Sequence, residues 1–303
     1  MFSSIEDVLN KLIAEHYIAD QALATVIYLS YHLKKPLFLE GETGVGKTEV
    51  ALVLSKILNT RLIRLQCYEG LDANNALYEW NYTKQLLRIK MEEQCRTNPD
   101  DIGNVIYSEP YLIKRPLLEA IQSPPGETPV LLIDELDRAD EEFEAFLLEI
   151  LSDFQISIPE MGTLQAQERP VVVVTSNRTR TIHDALKRRC LFHWIDHPDY
   201  AKELKIIQAK IPNIETALSQ QIAHFMQGLR QEELLKKPGI SETLDWAEAL
   251  IKLNIDILDV EIVEQTLGCI LKYREDIHQF KSNIWSDPQK QTALLDSTCA
   301  GLC

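Results

Sequence analysis

Residues 36–59 read PLFLEGETGVGKTEVALVLSKILN, and three kinds of local order follow one another within them. Pro36 opens a short apolar run of the length and composition of a buried strand. Gly41-Glu42-Thr43-Gly44-Val45-Gly46-Lys47-Thr48 then completes the pattern GxxxxGK[ST], and Thr48 to Asn59 reads as a helix. The order strand, glycine loop, helix is the context that gives the pattern meaning. Glycines let main-chain N–H groups turn inward around phosphates, the helix N-terminus adds partial positive charge, and the Lys47 ammonium reaches the β- and γ-phosphates of ATP. Thr48 offers a hydroxyl to Mg²⁺, and Glu49 follows it as the last residue assigned to the nucleotide loop.

Working outward, RLIRLQC (61–67), VLLID (130–134), PVVVVTSN (170–177) and LFHWI (191–195) are further strands, and DEEFEAFLLEILSDF (140–154) is a helix with one apolar face. Strands alternating with helices through residue 196 predict an α/β fold, a P-loop parallel sheet with helices on both faces. From Asp199 onward the strand signals stop and four helical patterns follow. The expected organisation is therefore a P-loop ATPase domain over 1–197 and a smaller all-α lid domain over 198–303. Residues 4–34 read as two helices, 71–94 as broken helix or an inserted hairpin, and 155–170 as a hairpin turning at Met161–Gly162.

Asp134 stands at the end of a buried strand, where a magnesium ligand of such a site belongs, and Glu135 beside it is placed to polarise an attacking water as general base. Asp140, Glu141 and Glu142 are explained as a helix cap and acidic first turn; Asp134-Glu135, directly after four apolar residues, are not. The Asp-Glu doublet favours hydrolysis over a small-molecule kinase, which excludes a water-activating carboxylate. Asn177 ends the next strand, where it can bond that water or the γ-phosphate, or simply start a turn. Lys187, Arg188 and Arg189 end a short helix; they read equally as a dipole-matched helix end or as an arginine finger acting on a neighbouring subunit's nucleotide.

The chain has 303 residues, 45% hydrophobic and 25% charged, with a formal net charge of −15. That charge repels a polyanionic backbone, so nucleic acid is not the expected partner. Six scattered cysteines without zinc or redox spacing suit a reducing cytoplasm, the expected location. The first residues carry acids where a signal peptide would be basic, and no run approaches about 20 apolar residues, so no membrane association is expected.

Together the longer strings HYIADQALATVIYLSYHLKKPLFLEGETGVGKTE, LLIDELDRADEEFEAFLLEILSDFQISIPE, VVVVTSNRTR, DALKRRCLFHWIDHPD and GISETLDWAEAL resemble the AAA+ superfamily and, within it, MoxR ATPases of the CoxD-like branch. The resemblance implies ATP and Mg²⁺ as cofactors, Asp134 and Glu135 as Walker B, Asn177 as sensor 1, and Arg189 as the finger with Arg188 as runner-up. It further implies a homo-oligomer, a hexameric ring acting as a chaperone, with a von Willebrand factor A-domain partner and a metalloenzyme client such as a molybdenum-containing CO dehydrogenase. The elements around 71–90 and 155–170 match this clade's pore-facing inserts. One departure stands out: Ser241-Glu242-Thr243 occupy the place of the lid arginine that relatives use as sensor 2. A small-molecule phosphotransferase and a nucleotide-gated binding module are the alternatives. The reading predicts that Lys47→Ala abolishes nucleotide binding or turnover, and undiminished phosphate release by that variant refutes it.

Overall fold

In a computed structural model, residues 2–95 and 105–295 are described. A five-stranded sheet carries β1 (Leu37–Gly41), β2 (Leu62–Gln66), β5 (Val130–Asp134), β8 (Val171–Ser176) and β9 (Leu191–Ile195), in the order β2-β5-β8-β1-β9. The β2/β5, β5/β8 and β8/β1 pairs are parallel. Leu65 opposite Ile133, and Ile133 opposite Val174, fix the register. Such strands must be apolar on both faces because helices cover both, and β1 and β5 are buried at every position. One face, with Phe38, Leu131, Ile133, Val172 and Val174, packs on Leu117, Leu118, Phe143, Leu147 and Ile150.

The sheet lies in one compact unit, made of Met1–Leu9, Gln21–Glu40 and Thr48–Trp194. Here belong α1 (Ile5–Ala14) in part, α2 (Gln21–Leu33) and most of α3 (Lys47–Ile57). The segment after β2 is broken helix, the first of the two alternatives its sequence suggests, and the inserted hairpin does not form. Helices α4 (Ala73–Leu77) and α5 (Tyr82–Cys95) flank β3 (Tyr78–Trp80), but β3 pairs antiparallel with the distant β4 (Leu112–Lys114) instead of closing a local hairpin. Trp80 drives this, buried between the rings of Tyr78 and Tyr107. Helix α6 (Pro116–Ile121) returns the chain to β5, and α7 (Glu141–Asp153) follows it. The 155–170 hairpin is present as β6 (Gln155–Ile158) and β7 (Gly162–Gln165), with Ile158 opposite Gly162.

The second unit comprises Asn10–Asp20, Gly41–Lys47 and Ile195–Cys303. After the short α8 (Asp184–Lys187) of the first unit, its helices are α9 (Tyr200–Lys210), α10 (Thr216–Gln231), α11 (Ile240–Lys252), α12 (Val260–Ile270), α13 (Arg274–Gln279) and α14 (Pro288–Leu295). The first four match the four patterns read in the sequence; α13, a π-turn at Phe280–Ile284 and α14 extend the array. Its core is Phe225, Met226, Trp246, Leu250, Phe280 and Trp285. The Trp246 indole N–H donates to Thr266 Oγ1 at 2.8 Å, so the largest buried side chain leaves no orphaned donor.

Helix α7 shows how sequence sets an element's start. Asp140 is extended, its Oδ1 accepts from the Phe143 N–H at 2.8 Å, and Glu141, Glu142 and Glu144 lie in the first turn. Cap and acids both answer the free amides and partial positive charge of a helix N-terminus. Asp140→Ala is expected to lower the unfolding free energy by about 1 kcal/mol in urea titration, with Asp140→Asn losing much less.

Candidate functional site

Asp134 is the last residue of β5 and only 2% exposed. A carboxylate there needs donors, and three reach it. Oδ1 accepts from Thr48 Oγ1 at 3.0 Å and Thr175 Oγ1 at 2.6 Å, while Oδ2 accepts from Arg64 Nη2 at 2.5 Å. Thr48 thus lies beside Asp134 although 86 residues separate them, as the pairing of a hydroxyl and a carboxylate for one hard cation requires.

Glu135 adopts the left-handed conformation, with φ 54° and ψ 50°. A residue other than glycine holds that conformation only where surroundings enforce it. Its N–H donates to Thr175 Oγ1 at 2.9 Å. Its carboxylate accepts from Asn177 Nδ2 at 3.3 Å and Gln66 Nε2 at 3.0 Å, and pairs with Arg138 at 3.1 Å. Asn177 and Glu135, expected to share one water, are therefore brought together. Gln66 was not anticipated: alternation along β2 puts residues 64 and 66 on one side, but only the β2/β5 register shows that side to meet Asp134 and Glu135.

Asp137 is a second group that sequence reading passed over, hidden in an acidic run. Only 3% exposed, it accepts from the Asn177 N–H at 3.0 Å and from the Thr179 N–H and hydroxyl at 2.9 and 2.6 Å. Burial pushes its carboxyl up, but the Thr179 and Asn177 bonds outweigh this and hold it below its ordinary value. It fastens the turn after β8 to the end of β5, which sets where Asn177 stands.

The three cations of 187–189 separate. Lys187 pairs with Glu40 at 3.2 Å and lies over the Phe38 and Phe192 rings, so it is committed to packing. Arg188 and Arg189 are exposed, Arg189 donating to the Ser152 hydroxyl. Arg180 instead pairs with the buried Glu144 and donates to the Ala139 carbonyl.

In the second unit the glycine loop forms a tight curl. Gly44 and Gly46 have φ of 80° and 94°, and a Cβ on Gly41 would stand 2.3 Å from the Ile195 carbonyl oxygen. Lys47 is buried, its Nζ donating to the carbonyls of Gly41 at 2.8 Å and Glu42 at 2.6 Å. The lysine is therefore folded back over the loop. Tyr17, on the 10–20 segment, donates to the Gly46 carbonyl at 3.5 Å. His197 is half-buried with both ring nitrogens shielded, and burial followed by the Arg230 charge pushes its imidazole below its usual range.

Cys67 donates its N–H to the Asp134 carbonyl at 2.9 Å. Burial first, then the negative charges of Asp134, Asp137 and Glu135, push its thiol up to about 12; burial alone does the same at Cys190. A thiol held protonated in the fold loses its stabilisation as pH climbs from the unfolded value near 9 toward 12. At pH 8, iodoacetamide is expected to label Cys269, which is half-buried, well before Cys67 or Cys190; mass mapping of the native protein checks the order.

Residues 36–190 match the family model described as AAA domain (dynein-related subfamily). The chain is 27% identical over 264 residues to an uncharacterized protein of Staphylococcus haemolyticus, covering 84% of this chain and 90% of that one. An uncharacterized Staphylococcus aureus protein is 27% identical over 244 residues, 78% of this chain and 83% of its own. Among solved structures, a mutant of Thermotoga maritima RuvB has a TM-score of 0.49 and 18% identity, with 91% of this chain and 73% of that chain covered. A match across just over half of its length makes this chain a member of the AAA domain family, dynein-related subfamily, and so an AAA+ ATPase.

Proposed function

We propose that the chain is a Mg²⁺-dependent, MoxR-type chaperone ATPase that remodels a client protein, with Gly41 to Thr48 binding ATP. The observation that carries this reading is Glu135, held by Asn177 and Gln66 beside the Thr48–Asp134 pair. The loop fits a polyphosphate: its curl rests on two glycines of positive φ, and its buried ammonium already sits on two loop carbonyls. Thr48 and Asp134 supply the hard oxygen donors that suit Mg²⁺, which when bound would neutralise charge on the phosphates.

The chain's own residues then divide the work. Lys47 would hold phosphate, and Thr48 and Asp134 would hold the cation beside it. Glu135 takes a proton from water, and Asn177, bonded to the same carboxylate, positions that water. Gln66 and Arg138 also hold Glu135, so its bonds must loosen before it works as a base. Arg188 and Arg189, both exposed, are the finger candidates for a neighbouring copy, which requires a ring; six copies follow the MoxR resemblance.

A protein client is supported by α5, which leaves Tyr82, Leu86, Leu87 and Met91 all more than half exposed. The lid boundary at 197/198, the cytoplasmic setting, the von Willebrand factor A-domain partner and a metalloenzyme client belong to the same proposal. The Asp-Glu doublet weighs against a phosphotransferase. Among the described residues no helix is long and apolar enough to cross a membrane.

Glu135→Gln is expected to keep ATP binding while cutting steady-state phosphate release at least about 100-fold. Turnover at the wild-type rate would sink the assignment of Glu135. Affinity capture with this variant under ATP should retain a metal-dependent hydroxylase or its assembly factors.

A further inference from the structure

The glycine loop is gripped by the helical unit at one peptide. Helix α11 begins beside it, and the N–H groups of Ile240 and Ser241 donate to the Gly44 carbonyl at 2.9 and 3.2 Å. The Ser241 hydroxyl points at the same oxygen, at 3.4 Å. The first amides of a helix have no partner within it, so a loop carbonyl there satisfies both sides. Gly239, the N-cap, is buried with an ordinary φ of −84°, so backbone freedom does not demand glycine. Close approach does: a Cβ would lie 2.8 Å from the Thr43 carbonyl oxygen and 2.9 Å from the Gly44 Cα.

Behind Gly239 lies a closed polar cluster. Arg230 and Glu203, 5% and 0% exposed, form a two-armed ion pair at 2.6 and 2.7 Å. Arg230 Nε donates to the Pro238 carbonyl at 2.8 Å, and the buried Thr243 hydroxyl lies 2.8 Å from Glu203 and 3.1 Å from the Gly239 carbonyl. Asp276 accepts from the Leu235 N–H at 2.7 Å and the Lys236 N–H at 3.3 Å just upstream. A buried ion pair contributes little net stability, so its use here is to fix the 238–239 turn in place.

We propose that Gly239 and the Arg230–Glu203–Thr243 cluster are positioning residues that preset the nucleotide loop through the Gly44 carbonyl. A trans peptide is planar, with C=O and N–H pointing opposite ways. Holding the Gly44 oxygen against α11 therefore aims the Val45 N–H to the other side, where a phosphate cradle needs it. At Ser241-Glu242-Thr243 the lid thus meets the loop through a main-chain latch, and Thr243 faces inward to serve it.

This inference rests on Gly41 to Thr48 binding ATP, which the wild type and Lys47→Ala test separately with a fluorescent ATP analogue. If the wild type binds no nucleotide, the functional reading itself fails. Given wild-type binding, Gly239→Ala is expected to raise Kd and KM for ATP about tenfold while kcat at saturation stays within about twofold. Arg230→Met should act in the same direction, and Arg230→Lys should not restore affinity because it lacks the two-armed geometry. Unchanged Kd in Gly239→Ala, or a fall in kcat at constant KM, overturns the proposal. Should these variants fold poorly, hydrogen exchange on the wild type decides: Ile240 and Ser241 amides exchanging as freely as unpaired helix-start amides overturn it, and protection supports it.

Discussion

A carboxylate buried at the end of a central strand is the constraint on which the sheet-bearing unit of this molecule depends. Burying any carboxylate away from water costs several kcal/mol unless donors surround it. Those donors come from three separate elements: Thr48 on α3, Arg64 on β2 and Thr175 on β8. Each must arrive in register, so the order of the sheet and the start of α3 are tied to one side chain. The same tie holds the Thr48 hydroxyl, at the start of α3, against the end of β5.

Glu135 carries the tension of that arrangement. Its left-handed backbone costs on the order of 1–3 kcal/mol. The cost is met by the bond from its N–H to Thr175 and by the anchoring of the following turn through Asp137. With an unstrained backbone the side chain would leave the neighbourhood of Asn177. Strain, buried acid and the β8 turn are thus one mechanical unit, and the two acids of the doublet differ in surroundings, one walled in and the other half open.

Much of this was legible in the sequence wherever an effect is local. The glycine loop, the unbroken apolar strands and the Asp140 cap each announce themselves within a few residues, and the acid doublet stood out because nothing structural explained it. What was hidden depends on pairing over distance. The partner of β3 lies more than 30 residues away in β4, and nothing in LYEWNYTKQLL names it. Gln66 and Arg64 gain meaning only from the β2/β5 register, and Asp137 sat camouflaged among neighbouring acids. Lys187 looked like an equal of Arg188 and Arg189 until Glu40, 147 residues upstream, claimed it.

The π-turn at Phe280–Ile284 has a geometric result of its own. Five residues of α-helix advance about 500°, which would leave the Phe280 and Trp285 rings about 140° apart around the axis. The Trp285 N–H instead reaches back five residues to the Phe280 carbonyl at 2.8 Å, and the widened coil lets the two rings stack at 5.1 Å and both meet Phe225. One surplus residue wound into the coil is what closes the aromatic layer, because the same five steps wound as α-helix would carry the indole out of it.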